Sequence, residues 1–293
     1  MESARLVYAV ILAWNHVEDT IECIESLLKS EYKSLQLVLV DNASTDHTTE
    51  IIREKYPSVE ILCSEKNLGV GGGYNLGMKY ALNKKADYIL IANNDIVVDP
   101  GMIRSLVEDL DDNPQAGIGM PKIYHYYGAR NRLWCIGARW RKFPPTVKMI
   151  GTNVKDGSRY ANPHELEYVP SCCLLLRREM IEHIGYFDTG YFFYNDDWDY
   201  SIRCRQAGFT IRFVPTATML HKVSVSTQKS HKPAQWWNYL GRSTVRFYQK
   251  YAGNWQLSIF IAWFVIREML KGKPGRVRPF LAGVRIEQKK EKE

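Results

Sequence analysis

Tyr88-Ile89-Leu90-Ile91-Ala92-Asn93-Asn94-Asp95 is a run of five apolar residues that ends in three polar ones. An apolar run of this length, bounded by turn formers, is typical of a buried strand in a parallel sheet. Ligands of open α/β sheets bind outside the carboxyl ends of such strands. We therefore expect Asp95 to lie where a substrate binds.

The same pattern occurs three times earlier in the chain, and a helical segment follows each apolar run. The earlier apolar runs are Leu6 to Ala13, Leu35 to Val40 and Val59 to Cys63. The helices are expected around Ile21 to Leu28, from a cap at Ser44 or Thr45 to Tyr56, and from Tyr74 to Asn83. Strand and helix in alternation predict a doubly wound parallel sheet, with all four strands ending at one edge.

A glycine-rich segment, Asn67 to Gly77, follows the third predicted strand. It fits neither the dinucleotide pattern G-x-G-x-x-G nor a P-loop, because the third glycine and the Gly-Lys-Ser/Thr ending are missing. We predict a turn from Asn67 to Gly73 whose bare backbone approaches a ligand and opens a helix that favours an anion such as diphosphate. A flexible surface turn is the alternative.

The second acidic feature is Tyr194-Asn195-Asp196-Asp197-Trp198-Asp199, and His221 follows 24 residues after Asp197. Carboxylates crowded in an apolar setting repel one another and lose hydration, so a metal ion or a proton should accompany them. The cluster predicts a catalytic site. The alternative is a helix capped by Asp196, with Asp199 and Arg203 as an exposed i,i+4 pair.

Composition and charge indicate the cellular compartment in which the protein is located. The chain has 293 residues, 45% of them apolar, and about five of its seven excess positive charges lie from Arg267 to Glu293. The six cysteines show no C-x-x-C spacing, and the first residues lack the basic start and cleavage site of a signal peptide. We therefore expect a reducing, cytoplasmic location.

Leu257 to Ile266 is an apolar run of ten residues, too short for the roughly 20 that span a bilayer. The tryptophans and basic residues around it predict an interfacial helix on anionic lipid, which would make the protein peripheral on the inner face of the membrane. A helix that forms a homodimer is the alternative.

Ile123 to Tyr168 is an aromatic and basic tract. Such residues suit sugar rings and phosphates, or form an antiparallel hairpin packed on the main sheet. They also suit single-stranded nucleic acid, but the acids near Asp197 would repel a phosphate backbone, so no nucleic acid partner is expected.

Six short motifs occur in order along the chain. They are Trp14-Asn15, Val40-Asp41-Asn42-Ala43-Ser44-x-Asp46, Asn67-x-Gly69-x-Gly71-Gly72-x-x-Asn75-x-Gly77, Asn93-Asn94-Asp95, Gly185-x-Phe187-Asp188 and Tyr194-x-Asp196-Asp197-x-Asp199 with Arg203. Taken in this order, the motifs resemble the family 2 inverting glycosyltransferases of the GT-A fold, in particular their rhamnosyltransferase-like branch, over about residues 5 to 250.

The resemblance implies an α/β GT-A fold, a Rossmann-like doubly wound, mostly parallel sheet with a C-terminal helical extension. Residues 1–230 would form the catalytic domain, with a nucleotide-sugar half over about 1–122 and an acceptor half over about 123–230. The apolar run and the basic residues described above, rather than the resemblance, predict that residues 231–293 form a helical, basic extension that associates with membranes.

The resemblance also implies roles for single residues. Asp197 would be the catalytic base, and Asp196 and Trp198 would contact the acceptor or a sugar. Asp95 and His221 would hold a divalent cation, Mg²⁺ or Mn²⁺, and Asn93 stands where the family usually has an aspartate. The nucleotide sugar would be bound by Trp14, Asn15, Asp41, Asn67, Gly69, Gly73, Asn75, Asn93, Asn94 and Asp95.

The implied activity is sugar transfer from a dTDP- or UDP-sugar, with dTDP-rhamnose favoured, to a glycan or polyprenyl-linked glycan acceptor in cell-surface polysaccharide synthesis. A non-catalytic nucleotide-binding assembly protein or a nucleotidyltransferase is the alternative. Such a relative would use Asp41 and the glycine segment but not Asp197.

Overall fold

A computed structural model describes residues 4–128, 131–223 and 234–290, and its largest feature is an 11-stranded sheet. The strands are Val7–Ala13 (β1), Leu35–Asp41 (β2), Glu60–Cys63 (β3), Tyr88–Asn93 (β4), Ile96–Val98 (β5), Ala116–His125 (β6), Arg132–Cys135 (β7), Ala138–Arg141 (β8), Thr146–Met149 (β9), Val154–Lys155 (β10), His164–Glu165 (β11), Cys173–Arg177 (β12) and Thr210–His221 (β13). The helices are Val17–Leu28 (α1), Thr48–Lys55 (α2), Gly69–Asn83 (α3), Met102–Asp112 (α4), Arg178–Ile184 (α5), Asp196–Gln206 (α6), Ala234–Tyr251 (α7), Asn254–Leu270 (α8) and Val277–Lys290 (α9).

The predicted parallel sheet is confirmed in the first half of the chain. β3, β2, β1 and β4 lie side by side in that order, and all three pairings are parallel. Helices cover both faces, which is why β1, β2 and β4 are apolar along nearly their whole length.

The second half extends the sheet with strands of both directions. β12 lies antiparallel between β4 and β6, whereas the long strand β13 runs parallel to β6 and antiparallel to β5. One alternative for residues 123 to 168, an antiparallel hairpin, is present as β8 and β9. These strands form a separate sheet, and the Trp140 ring packs on Phe247 and Tyr248 of the C-terminal extension rather than on the main sheet. These additions bring residues from the second half of the chain to the edge where β1, β2 and β4 end.

Two helix starts differ from the prediction. α2 begins at Thr48 after His47, so neither Ser44 nor Thr45 caps it. α3 begins at Gly69, so the segment predicted as a turn up to Gly73 is already helical. The glycines also allow close packing at this point, because a Cβ at Gly73 would overlap Leu12 of β1.

The C-terminal extension is helical, as predicted. α7, α8 and α9 enclose a second apolar cluster, which also contains Tyr191 from the loop before α6. α7 and α9 approach so closely that a Cβ at Gly241 would overlap the Phe280 carbonyl oxygen. The predicted domain boundary at residues 230 and 231 lies outside the described residues. No described helix is long and apolar enough to cross a membrane.

Candidate active site

The polar residues that follow β1, β2 and β4 meet at one edge of the sheet. The strand register pairs Ala13 with Asp41 and Leu12 with Asn93. Asn94 Nδ2 donates to the Asn15 carbonyl oxygen at 3.1 Å, which ties two of these ends together. The polar residues after these strands are therefore adjacent at the edge where ligands of open α/β sheets bind.

The turn after β1 has an unusual backbone. Asn15 and His16 have φ angles of 61° and 64°, in the left-handed region that residues other than glycine rarely adopt. The Asn15 side chain stabilises this turn, because its Oδ1 accepts a hydrogen bond from Thr45 N at 2.7 Å. The ring of Trp14 remains 49% exposed beside the crevice, although tryptophan is usually well buried.

Asp41 is buried at the end of β2 and holds the loop that follows. Its Oδ1 accepts from Ser44 N at 2.8 Å, and its Oδ2 accepts from the Thr49 hydroxyl. Each carboxylate oxygen has two acceptor positions, so capacity for a ligand donor remains.

Four of the predicted nucleotide-binding residues connect the start of α3 to its surroundings. Asn67 Oδ1 accepts from Gly69 N at 2.9 Å and from Asn42 Nδ2 at 3.1 Å. Gly69, at φ 76°, leaves no room for a Cβ against the Phe192 backbone, and Gly73 packs against β1. Asn75 exchanges two hydrogen bonds with the backbone of Phe187, at 2.8 and 2.9 Å. The contacts of these four residues within the protein are packing and backbone hydrogen bonding.

Tyr74, a residue that the sequence analysis missed, connects the two acidic motifs. Its fully buried hydroxyl lies 2.7 Å from Asn93 Oδ1 and 3.1 Å from the Ser171 carbonyl oxygen. Ser171 also lies beside Asp197, because its backbone lowers the pKa of that carboxyl and so partly opposes the effect of burial. The only sequence signal for Tyr74 was its position inside the glycine motif.

The acidic cluster occupies the N-terminal turn of α6. Three aspartates lie there, where the positive end of the helix dipole favours negative charge. Asp196 is 3% exposed, and its Oδ2 has no hydrogen-bond partner among the described residues. Asp197 is half-buried, which leaves part of its side chain open to solvent.

Burial changes the acidity of this pair. It raises the pKa of Asp196 to about 7, with the nearby charge of Asp199 acting in the same direction. Burial, followed by the charge of Asp196, raises the pKa of Asp197 well above its usual range. A pair of this kind retains a proton near neutral pH, which suits acid–base chemistry.

Asp199 anchors α6 to the C-terminal extension. Its carboxylate is completely buried and accepts from Arg203 Nε at 2.8 Å, Lys250 Nζ at 2.6 Å and the Tyr251 hydroxyl at 2.7 Å. The expectation of an exposed Asp199–Arg203 pair was therefore wrong about its exposure. Lys250 and Tyr251 were missed because they lie 51 and 52 residues away in sequence.

Asp95 and His221 come together, as expected for the proposed metal ligands. His221 Nε2 lies 3.3 Å from Asp95 Oδ1, and both side chains are buried. Pairing of β13 with β5 places His221 opposite Ile96, next to Asp95. No group of three or more His, Cys, Asp or Glu side chains suited to a metal ion occurs in the described parts of the chain.

Trp198, the remaining predicted contact, is half-buried on α6. Its ring packs edge-on against Tyr168, with 6.1 Å between the ring centroids.

Sequence comparison matches residues 8–185 to the family described as Glycosyl transferase family 2. The Mycobacterium tuberculosis N-acetylglucosaminyl-diphospho-decaprenol L-rhamnosyltransferase is 29% identical over 226 residues, which cover 70% of this chain and 72% of the relative. The dTDP-rhamnosyl transferase RfbF of Shigella flexneri is 23% identical over 232 residues, covering 76% and 71%.

Solved structures share the fold at low sequence identity. GalNAc-T7 with UDP, GalNAc and Mn²⁺ superimposes with a TM-score of 0.64 at 16% identity, covering 85% of this chain but only 50% of that one. The mannosyltransferase PcManGT of Pyrobaculum calidifontis, solved with GDP-Man and Mn²⁺, gives a TM-score of 0.58 at 14% identity and covers 97% and 75%. The predicted GT-A fold is thereby confirmed.

Proposed function

The chain belongs to glycosyltransferase family 2, and we propose that it transfers rhamnose from dTDP-rhamnose to a glycan or lipid-linked glycan acceptor. Two of its relatives are named rhamnosyltransferases, and the name of one includes an N-acetylglucosaminyl-diphospho lipid. The observation that carries the proposal is the pair formed by the buried Asp196 and the half-buried Asp197, both with raised pKa values, at the start of α6. Tyr74 connects Ser171, which lies beside this pair, to Asn93 at the end of β4.

Asp197 is the proposed base of an inverting transfer. Its carboxylate takes the proton of the acceptor hydroxyl while that oxygen forms a bond to the anomeric carbon. The bond from the same carbon to the diphosphate breaks on the opposite face, and the nucleoside diphosphate leaves. Burial raises the pKa of Asp197 well above its usual range, and a carboxylate with a higher pKa is a stronger base. Asp197 is also more exposed than Asp196, which suits contact with an acceptor.

Asp196 has a supporting role in this scheme. Its Oδ2 lacks a partner among the described residues, so it is free to accept a hydrogen bond from a sugar hydroxyl. The ring of Trp198 would form one wall of the space that the sugar occupies.

The donor nucleotide would lie along the ends of β1, β2 and β4. Trp14 offers an exposed ring for the base, Asp41 keeps acceptor capacity for a ring N–H, and Asn15, Asn93 and Asn94 shape the crevice. For Asn67, Gly69, Gly73 and Asn75 we propose a positioning role, since their contacts are with protein.

A divalent cation fits the pair formed by Asp95 and His221. One carboxylate and one imidazole, 3.3 Å apart and buried, form an incomplete protein shell, which suits an ion that shares its coordination with phosphate oxygens. A bound Mg²⁺ or Mn²⁺ would neutralise charge on the diphosphate. Asn93 adds no carboxylate and is already bonded to Tyr74.

The outer face of α8 supports attachment to an anionic membrane. Leu257, Phe260 and Phe264 pack inward, which leaves an outer apolar surface. This surface consists of Trp255, Ile259, Ala262, Ile266, Met269 and Leu270, and Lys271 and Lys273 follow it. An apolar helix face next to lysines is typical of interfacial binding, and it would bring the enzyme to a lipid-linked acceptor. With the free cysteines, this supports a peripheral position on the cytoplasmic side.

The direct test measures release of nucleoside diphosphate from dTDP-, UDP- and GDP-sugars, with and without Mn²⁺. We expect the highest rate with dTDP-rhamnose. Asp197→Asn should keep donor binding within a few-fold of wild type and lower transfer by roughly 10² to 10⁴, as for loss of a general base.

Near-normal turnover in Asp197→Asn would remove Asp197 from the mechanism. Donor binding without turnover of any sugar nucleotide by the unaltered protein would favour the non-catalytic alternative.

A further inference from the structure

A cavity of about 500 Å³ lies between α6, strand β8 and the end of α7, on the side of α6 that faces the C-terminal extension. Four of its lining residues are aromatic, namely Trp140, Tyr168, Phe247 and Tyr251. Its volume falls within the range of small-molecule sites, and walls that are mostly aromatic with a few polar groups are typical of them.

The polar part of the wall is Arg205 and Gln206 near the end of α6. Both residues are exposed, and neither side chain makes a hydrogen bond or an ion pair within the described parts of the chain. A guanidinium has five N–H donors, and an amide has two donors and an acceptor oxygen. The cavity therefore combines flat apolar faces with unused donors.

The cavity and the proposed base lie along the same helix, α6. Trp198, next to Asp197, packs on Tyr168 of the cavity wall, and Arg205 lies on the same face of α6. Arg205 follows Asp197 by eight residues, about 12 Å along a helix that rises 1.5 Å per residue. An acceptor with its reacting hydroxyl at Asp197 could therefore reach the cavity with a more distant part.

Two of the aromatic walls are held in place before any ligand arrives. The Tyr251 hydroxyl donates to the buried carboxylate of Asp199 at 2.7 Å. Trp140 packs against Phe247 and Tyr248, with ring centroids 6.3 and 6.2 Å apart. Preformed walls lower the entropy cost of binding.

We propose that this cavity is an acceptor subsite that binds a sugar ring one or more units from the reacting hydroxyl. The inference rests on the proposed transfer function and deepens it. The faces of a sugar ring would pack on Trp140 and Tyr251, while its hydroxyls accept from Arg205 and Gln206. The two exposed polar residues favour a saccharide over a polyprenyl chain, which would leave their donors unpaired.

The experiment is saturation-transfer NMR on the full chain without a sugar nucleotide, so that catalysis plays no part. The probes are the methyl glycosides of N-acetylglucosamine and rhamnose and the disaccharide N,N′-diacetylchitobiose, with farnesyl phosphate as the lipid probe. We expect saturation transfer to at least one saccharide, and binding about ten-fold weaker in the double variant Arg205→Ala/Gln206→Ala because two hydrogen bonds are lost. Arg139→Ala is the matched control, since Arg139 is an exposed arginine next to Trp140 that does not line the cavity.

The inference is overturned by absence of transfer to all three saccharides, by equal binding in the double variant, or by displacement of the saccharide by farnesyl phosphate at the same residues. Trp140→Phe provides a second check, because it keeps a ring in the core and should weaken saccharide binding without unfolding the protein. Failure of sugar-nucleotide turnover would instead refute the proposed function, and the binding experiment does not depend on it.

Discussion

Lys250→Met tests whether the C-terminal extension positions the catalytic helix. Lys250 Nζ lies 2.6 Å from Asp199 Oδ1, and this carboxylate is 0% exposed. Removal of one partner from a fully buried ion pair costs roughly 3–5 kcal/mol, and a hydrogen bond to a charged group contributes about 1.5–3 kcal/mol. Arg203 and Tyr251 remain bound to Asp199, and Lys250 is itself 38% exposed, so we expect a loss of about 2 kcal/mol in the free energy of unfolding.

The same variant should alter the pH profile. The charge of Asp199 raises the pKa of Asp196, and Lys250 offsets part of that charge. Without Lys250 the pKa values of the interacting pair Asp196 and Asp197 should rise further, so the acid limb of nucleoside diphosphate release should move to higher pH. If Lys250 had only a structural role, its replacement would lower the free energy of unfolding without moving the acid limb of the pH profile.

The assays are urea unfolding and product release from pH 5 to 9. Lys271→Met is the control, because Lys271 is an exposed lysine beyond the end of α8. Tyr251→Phe removes a neutral donor, so it should cost about 1 kcal/mol and change the pH profile less. If Lys250→Met matched Lys271→Met in both assays, the proposed coupling between α7 and α6 would be refuted.

Three further changes have defined outcomes. Asp196→Asn should stabilise the protein by on the order of 2 kcal/mol at pH 8 and hardly at all near pH 4. The pKa of Asp196 in the folded protein, about 7, lies above the usual 3.8, so its ionisation lowers the free energy of unfolding as pH rises between these two values. Equal urea midpoints for the variant and the wild type at pH 8 would contradict this. Asp95→Ala should weaken nucleotide binding in calorimetry and abolish the response to Mn²⁺, so an unchanged Mn²⁺ stimulation would exclude Asp95 as a ligand. Ile266→Ser should reduce sedimentation with anionic vesicles by about ten-fold. Leu28→Ser, at a site of similar exposure on α1, should not, and an equal loss in both variants would argue against α8 as the membrane contact.

The sequence alone determined the first half of the fold. The apolar runs of β1, β2 and β4 are long enough and uniform enough to require burial on both faces, and the polar residues after them mark one edge of a parallel sheet. The turn predicted from Asn67 to Gly73 is helical from Gly69 onward. A bare backbone can indicate either a ligand or a close helix–strand contact, and only the tertiary structure shows the contact between Gly73 and Leu12.

The candidate site depended more on tertiary structure. Spacing and residue type identified Asp95, Asp196, Asp197 and His221, since carboxylates and imidazoles near strand and helix ends are chemically distinctive. The burial that raises the pKa of Asp196, and the capture of Asp199 by Lys250, arise from contacts between segments far apart in sequence. A local sequence pattern does not specify such contacts, because burial and Coulomb energy depend on distances in space that only the tertiary structure determines.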